Sequence, residues 1–165
     1  MLVIGMLLAD ASLSVGGEPS PPTDHIRTSE PVIASLLKYG YGASATFRLL
    51  VDALNRSNLL VYVDLRKDGT GTGLHRLAAS NGVRFAWISI ARDRGQEQLT
   101  ARLAHELQHA VEIATVPEVV NDGTLAAYYR RRGFSQGGGT TAETFESPAA
   151  QTIERTVFRE LVRPR

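Results

Sequence analysis

The stretch from Gln96 to Thr115 holds neither proline nor glycine and stops two residues short of Pro117. Leu99, Leu103, Leu107, Ala110 and Ala114 recur through it at helical spacing, which predicts one long helix with that stripe turned to the core. On its adjacent face the same helix carries Arg102, His105, His109 and Glu112. His105-Glu106-Leu107-Gln108-His109 reads H-E-x-x-H. Residues i and i+4 lie one turn apart on one face, so both imidazoles can point at one metal ion. Glu106 stands beside that face, within reach of a water in the metal's open position.

Zinc bound by two histidines normally takes a third protein ligand. Downstream, Asp122, Glu143, Glu146 and Glu154 are the carboxylates to weigh, and a carboxylate near a helix start is also favoured simply by the helix dipole. Glu112, one turn after His109, is placed either to orient an imidazole or to face solvent. Tyr128, Tyr129 and His75 are candidate donors to an oxyanion, each with a plain role as a core or surface side chain.

The motif resembles the active-site helix of the zincin metallopeptidases, and small bacterial zincin-like proteins with the same His-Glu-Leu-Gln-His-Ala core. The downstream acidic residues look like the gluzincin branch, whose third ligand is a later Glu. The longer metzincin pattern and the inverted motif are absent. The resemblance implies Zn2+ held by His105, His109 and Glu146, where the glycine-rich loop becomes the last helix, with Glu143 and Glu154 as alternatives. It also implies that Glu106 is the general base of peptide-bond hydrolysis. In zincins an edge strand beside the active helix binds substrate backbone by strand addition, a role the resemblance gives to Val83–Ala91. The alternatives are a zincin-like binding module that no longer cleaves, for which a retained Glu106 has no use, and a metal-dependent hydrolase of a non-peptide bond.

Composition sets the frame. A chain of 165 residues, 43% hydrophobic and 21% charged, fits one globular domain. With no cysteine, thiolate ligands, thiol catalysis and disulfides are excluded, leaving N/O ligation. A net charge of +1 supplies no argument for nucleic acid, and Arg130-Arg131-Arg132 is too short a run to add one. The expected partner is a peptide or protein substrate, with no stable membrane insertion. Oligomeric state is not legible. Leu2–Ala9 is a short apolar run followed by Ala9-Asp10-Ala11, which reads as a signal peptide with a cut near Ala11 although no basic residue precedes it. Residues 1–24 are then signal and linker, and 25–165 the domain. The expected location is secreted or periplasmic, with cytoplasmic as the alternative.

Elsewhere, Pro31 opens a helix stopped by Gly40 and Gly42, and a second helix runs from Ser44 to Arg56. Leu59–Leu65 reads as a strand, Asp68-Gly69 as a turn, and a weaker strand reaches Ala79. Asn81-Gly82 is a hairpin signal leading into Val83–Ala91. Connections this short suggest three antiparallel strands. Asn121 or Asp122 caps a helix ending at Gly133, residues 136–141 form a glycine-rich loop, and Ser147-Pro148 starts a last helix to Val162. The order implies an α+β fold with a small antiparallel sheet of about three strands.

Overall fold

A computed structural model of the chain describes residues 24–66, 71–92, 94–132, 135–136 and 144–163. The N-terminal apolar run, Glu143, Gly133 and most of the glycine-rich loop lie outside the described residues. The fold is α+β. Two helices, α1 (Pro31–Ala43) and α2 (Ala45–Asn55), follow a two-residue strand β1 (Ile26–Arg27). Gly40 and Gly42 do not stop α1, which continues through both. Gly40 has another use: a Cβ there would stand 2.8 Å from the Phe47 ring, so its bare backbone lets the start of α2 pack closely. The chain turns at Ser44, whose hydroxyl accepts from the Phe47 N–H and caps α2.

Strands β2 (Leu59–Arg66), β3 (Gly73–Ser80) and β4 (Val83–Ala91) appear in the expected places. Asn81 and Gly82 both take positive φ, 50° and 78°, the backbone of a tight two-residue hairpin. The expectation of an all-antiparallel meander is corrected. The sheet has four strands in the order β1-β2-β4-β3. β2 runs parallel to β4, with Val61 opposite Ala86, while β3 pairs antiparallel with the far side of β4. A direct parallel connection does need a long crossover. Here β3 intervenes, and the link from β2 to β3 need only step past one strand, about 10 Å. The few residues between them span that easily.

Val61, Val63 and Leu65 on β2 and Ala86, Ile88 and Ile90 on β4 are buried and join one core with α1, α2 and α3 (Gln96–Ala114). The opposite face carries Tyr62 stacked on Trp87, with the Arg76 guanidinium over the Trp87 ring. After α3 come α4 (Asp122–Arg131), a small ribbon of β5 (Ser135–Gln136) and β6 (Thr144–Phe145), and α5 (Pro148–Val162). Ser147 caps α5 through the Ala150 N–H, and α5 lies along α3. Among the described residues no helix is long and apolar enough to cross a membrane.

Candidate active site

Helix α3 is buried on more than its apolar stripe. Leu99, Leu103, Leu107 and Ala110 face the core as expected, but His105, Glu106 and His109 are only 1%, 4% and 4% exposed. Desolvating three ionisable side chains on one helix is costly unless each is held by partners. Most of the partners come from distant parts of the chain.

His105 Nδ1 lies 2.9 Å from Glu154 Oε2 on α5, and Arg102 on α3 stands 3.5 Å from the other oxygen of Glu154. His109 Nδ1 lies 3.2 Å from Glu112 Oε2 and 3.0 Å from the Tyr129 hydroxyl. Glu112 is itself tied down, accepting from Tyr129 at 3.2 Å and from the Ser147 hydroxyl at 2.6 Å. Both imidazoles thus spend Nδ1 on a carboxylate and turn Nε2 the other way. The rings meet edge to face with centroids 5.0 Å apart. His105 Nε2 faces Glu146 Oε2 at 3.4 Å, and His109 Nε2 is buried with no hydrogen-bond partner.

These features bear on whether the residues suit a metal. Among the described residues, no group of three or more His, Asp or Glu side chains forms a ready-made cluster for a metal ion. The donor chemistry nevertheless fits zinc. Imidazoles that ligate zinc usually fix their other nitrogen against a carboxylate. Two ligands of a tetrahedral zinc, each about 2.0–2.1 Å from it, stand about 3.4 Å apart. The His105–Glu146 separation has that value, and the unpartnered Nε2 of His109 is a buried donor atom lacking only an acceptor of its lone pair or a proton's partner.

Glu106 Oε2 accepts the Leu74 N–H of β3 at 3.1 Å. Burial pushes its pKa up, opposed by His109, His105 and Arg102. Burial works against the imidazolium of His105, but its hydrogen bond to Glu154 and the charges of Glu106, Glu146 and Glu154 outweigh it and raise its pKa. The bond to His105 holds the Glu154 carboxyl below the usual range against its own burial. Burial would raise Glu112, and its bonds to His109, Ser147 and Tyr129 bring it below the ordinary value. Tyr129, buried beside Glu112, has its pKa raised far above that of a free phenol.

The sequence-based candidates therefore separate. Glu146 meets His105 at Nε2, and the His105 and His109 rings meet one turn apart on α3 with Glu106 between them in sequence. Glu154 meets His105 at Nδ1, the nitrogen turned away from Glu146. Glu112 has the orienting role that was one of its two readings. Tyr129 meets His109 at Nδ1, on the side of the ring away from Nε2. Tyr128 is buried under the Arg132 guanidinium. His75 is exposed and lies 3.4 Å from both the Gly73 carbonyl and the Ser89 hydroxyl. Asp122 is elsewhere, accepting the Leu77 N–H at 2.6 Å. Val83–Ala91 is not an edge strand: β4 is flanked by β2 and β3, and the edge beside Glu106 belongs to β3. Ser147 and Arg84 were missed by sequence reasoning. Ser147 had a signal only as a helix cap, and it serves as that while also bonding Glu112. No family model, no curated protein and no solved structure matches this chain.

Proposed function

We propose that the protein is a zinc-dependent hydrolase of the zincin type that cleaves peptide bonds. The observation that carries this reading is the opposed use of the two imidazole nitrogens. Each Nδ1 is held by a carboxylate, and each Nε2 is turned to the side where Glu146 stands or where a buried donor lacks a partner. His105, His109 and Glu146 would hold the ion. When bound, zinc supplies Lewis acidity towards water and towards a carbonyl oxygen.

The chain's own residues do the rest. Glu106 takes the proton of the attacking water and returns it to the leaving amine. Burial favours its protonated form, so it can keep that proton between the two steps. The Leu74 N–H holds one carboxylate oxygen and leaves the other for water. Glu154, Glu112 and Tyr129 keep the imidazoles in fixed orientation. The outer edge of β3, starting beside Glu106, is the surface along which an extended substrate would lie, between the Leu74 N–H held by Glu106 and the Leu77 N–H held by Asp122.

The test is Glu106→Gln, read on an unbiased peptide library beside metal content. The variant should fold, retain about one zinc per chain, and lose on the order of a hundredfold to ten-thousandfold in turnover. Cleavage at the wild-type rate would remove the base mechanism and leave a metal-stabilised binding module as the better reading. Hydrolysis of esters or other amides by the wild type, with no peptide cleaved, would favour a non-peptide substrate. We also propose export with a cut near Ala11, on the apolar run that ends in Ala-Asp-Ala. N-terminal sequencing of protein from its native host decides this, and an intact Met1 in the cytoplasm rejects it.

A further inference from the structure

Strand β3 is the outer strand of the sheet, so its outward N–H groups have no neighbouring strand to bond. In a regular strand such groups recur at every second residue, and residues three apart point to opposite sides. The register of β3 shifts between Leu74 and Arg76, which inserts one extra residue, His75, and brings Leu74 and Leu77 back to the same side. The outward N–H groups of Leu74 and Leu77 are taken by carboxylates from outside the sheet. Leu74 donates to Glu106 at 3.1 Å and Leu77 to Asp122 at 2.6 Å. Asp122 opens α4, which Asn121 caps through the Thr124 N–H, and α4 rests against β3. One end of the edge is therefore closed by a side chain that has no contact with the histidines.

We infer that Asp122 determines specificity by closing the edge of β3 at Leu77, so that substrate extends only a short way past Glu106 on that side. The inference rests on the peptidase reading of the site. Leu74 and Leu77 are about 10 Å apart along a strand, room for about three residues of extended peptide before the chain meets Asp122 and α4. Towards Gly73 and Gly71 the strand meets no such carboxylate among the described residues. The expected preference is asymmetric: substrates can be long on one side of the cut bond and must be short on the other.

The test uses the full chain with zinc and a nested set of peptides lengthened on either side of one cut bond. Wild type should cut peptides with two or three residues on the restricted side about tenfold or more faster than those with six. Lengthening the other side should carry no such penalty. Asp122→Ala should bring the two rates within about twofold. Asp122→Asn keeps an oxygen for the Leu77 N–H and should keep the preference. Equal cutting of long and short peptides by wild type, or an unchanged preference in Asp122→Ala, overturns the proposal. If no peptide is cut at all, the peptidase reading fails, and the edge is judged separately by following the Leu77 amide resonance while the longest peptide is titrated. A shift in Asp122→Ala and none in wild type supports closure by Asp122; the same response in both overturns it.

Discussion

Helix α3 is held at two places by buried polar side chains, and the two clusters handle their hydrogen bonds differently. At its C-terminal end Arg84, 3% exposed, reaches across from β4. Its guanidinium donates to the Ile113, Ala114, Val116 and Val119 carbonyls and to the Asn58 side chain, at 2.7–3.3 Å. The last carbonyls of a helix have no partners within it, and Arg84 supplies them, so every guanidinium nitrogen is used. One turn and more upstream, the His105–His109 cluster is equally buried but not closed. His109 Nε2 has no partner, and Glu106 is buried with its pKa raised. A polar cluster that serves stability alone closes its bonds, because each open one costs free energy. An open one points to a missing partner.

That contrast can be broken at either cluster. The largest effect is expected from His109→Ala and His105→Ala, each of which should abolish tight zinc binding in a competition titration. Wild-type affinity in either variant would remove that residue from the ligand set. Each variant should also cost some stability in metal-free protein, since it leaves Glu154 or Glu112 without its imidazole partner. Arg84→Ala should act on stability and leave zinc affinity largely intact. It removes the guanidinium donor from the Ala114 and Val119 carbonyls and from Asn58, while Ile113 and Val116 keep backbone donors, and should cost about 3 kcal/mol in denaturant unfolding of the metal-free protein. A loss below about 1 kcal/mol would mean that the closed cluster is not the anchor of α3.

Glu154→Gln and Glu112→Gln should lower zinc affinity about 10–100-fold each. Both leave the ligands in place and weaken only their orientation, so they rank below removal of a histidine. If either matched the effect of His→Ala, that residue would be a ligand and the assignment of Glu146 would fail. The smallest effect belongs to a carboxylate remote from both clusters. Glu160 on α5 accepts from the Ser44 and Thr46 hydroxyls and the Thr46 N–H at the start of α2. Burial opposes its ionisation, but these bonds win and lower its pKa. A carboxyl with a lowered folded pKa adds stability above its unfolded value, near 4.5, and loses it as pH falls through the folded one. Glu160→Gln should cost about 1 kcal/mol at neutral pH and flatten the decline in stability below about pH 4.5. An unchanged acid profile would show that the cap contributes nothing.

The elements readable in the chain were those fixed within a few residues. The bounds of β4, α3 and α5 and the Asn81-Gly82 turn follow from periodicity, capping residues and positive φ, all local properties. Gly40 misled because glycine is also a helix stop, and only its approach to Phe47 shows why it sits inside α1. The strand order misled because chain length between strands limits direct pairing but not the pairing of β2 with β4 around β3.

For the candidate site the division is the same. The sequence by itself determined that His105 and His109 share a helix face with Glu106 beside them, because an i, i+4 relation is fixed by helix geometry. Only the tertiary structure decided which carboxylate meets which imidazole nitrogen. Glu154 reaches His105 from 49 residues away, Ser147 reaches Glu112 from 35, and Leu74 reaches Glu106 from 32. Asp122, Glu146 and Glu154 look alike as letters. They differ in where α5, α4 and β3 dock against α3, and that is set by burial of apolar faces along the whole chain, which no local pattern encodes.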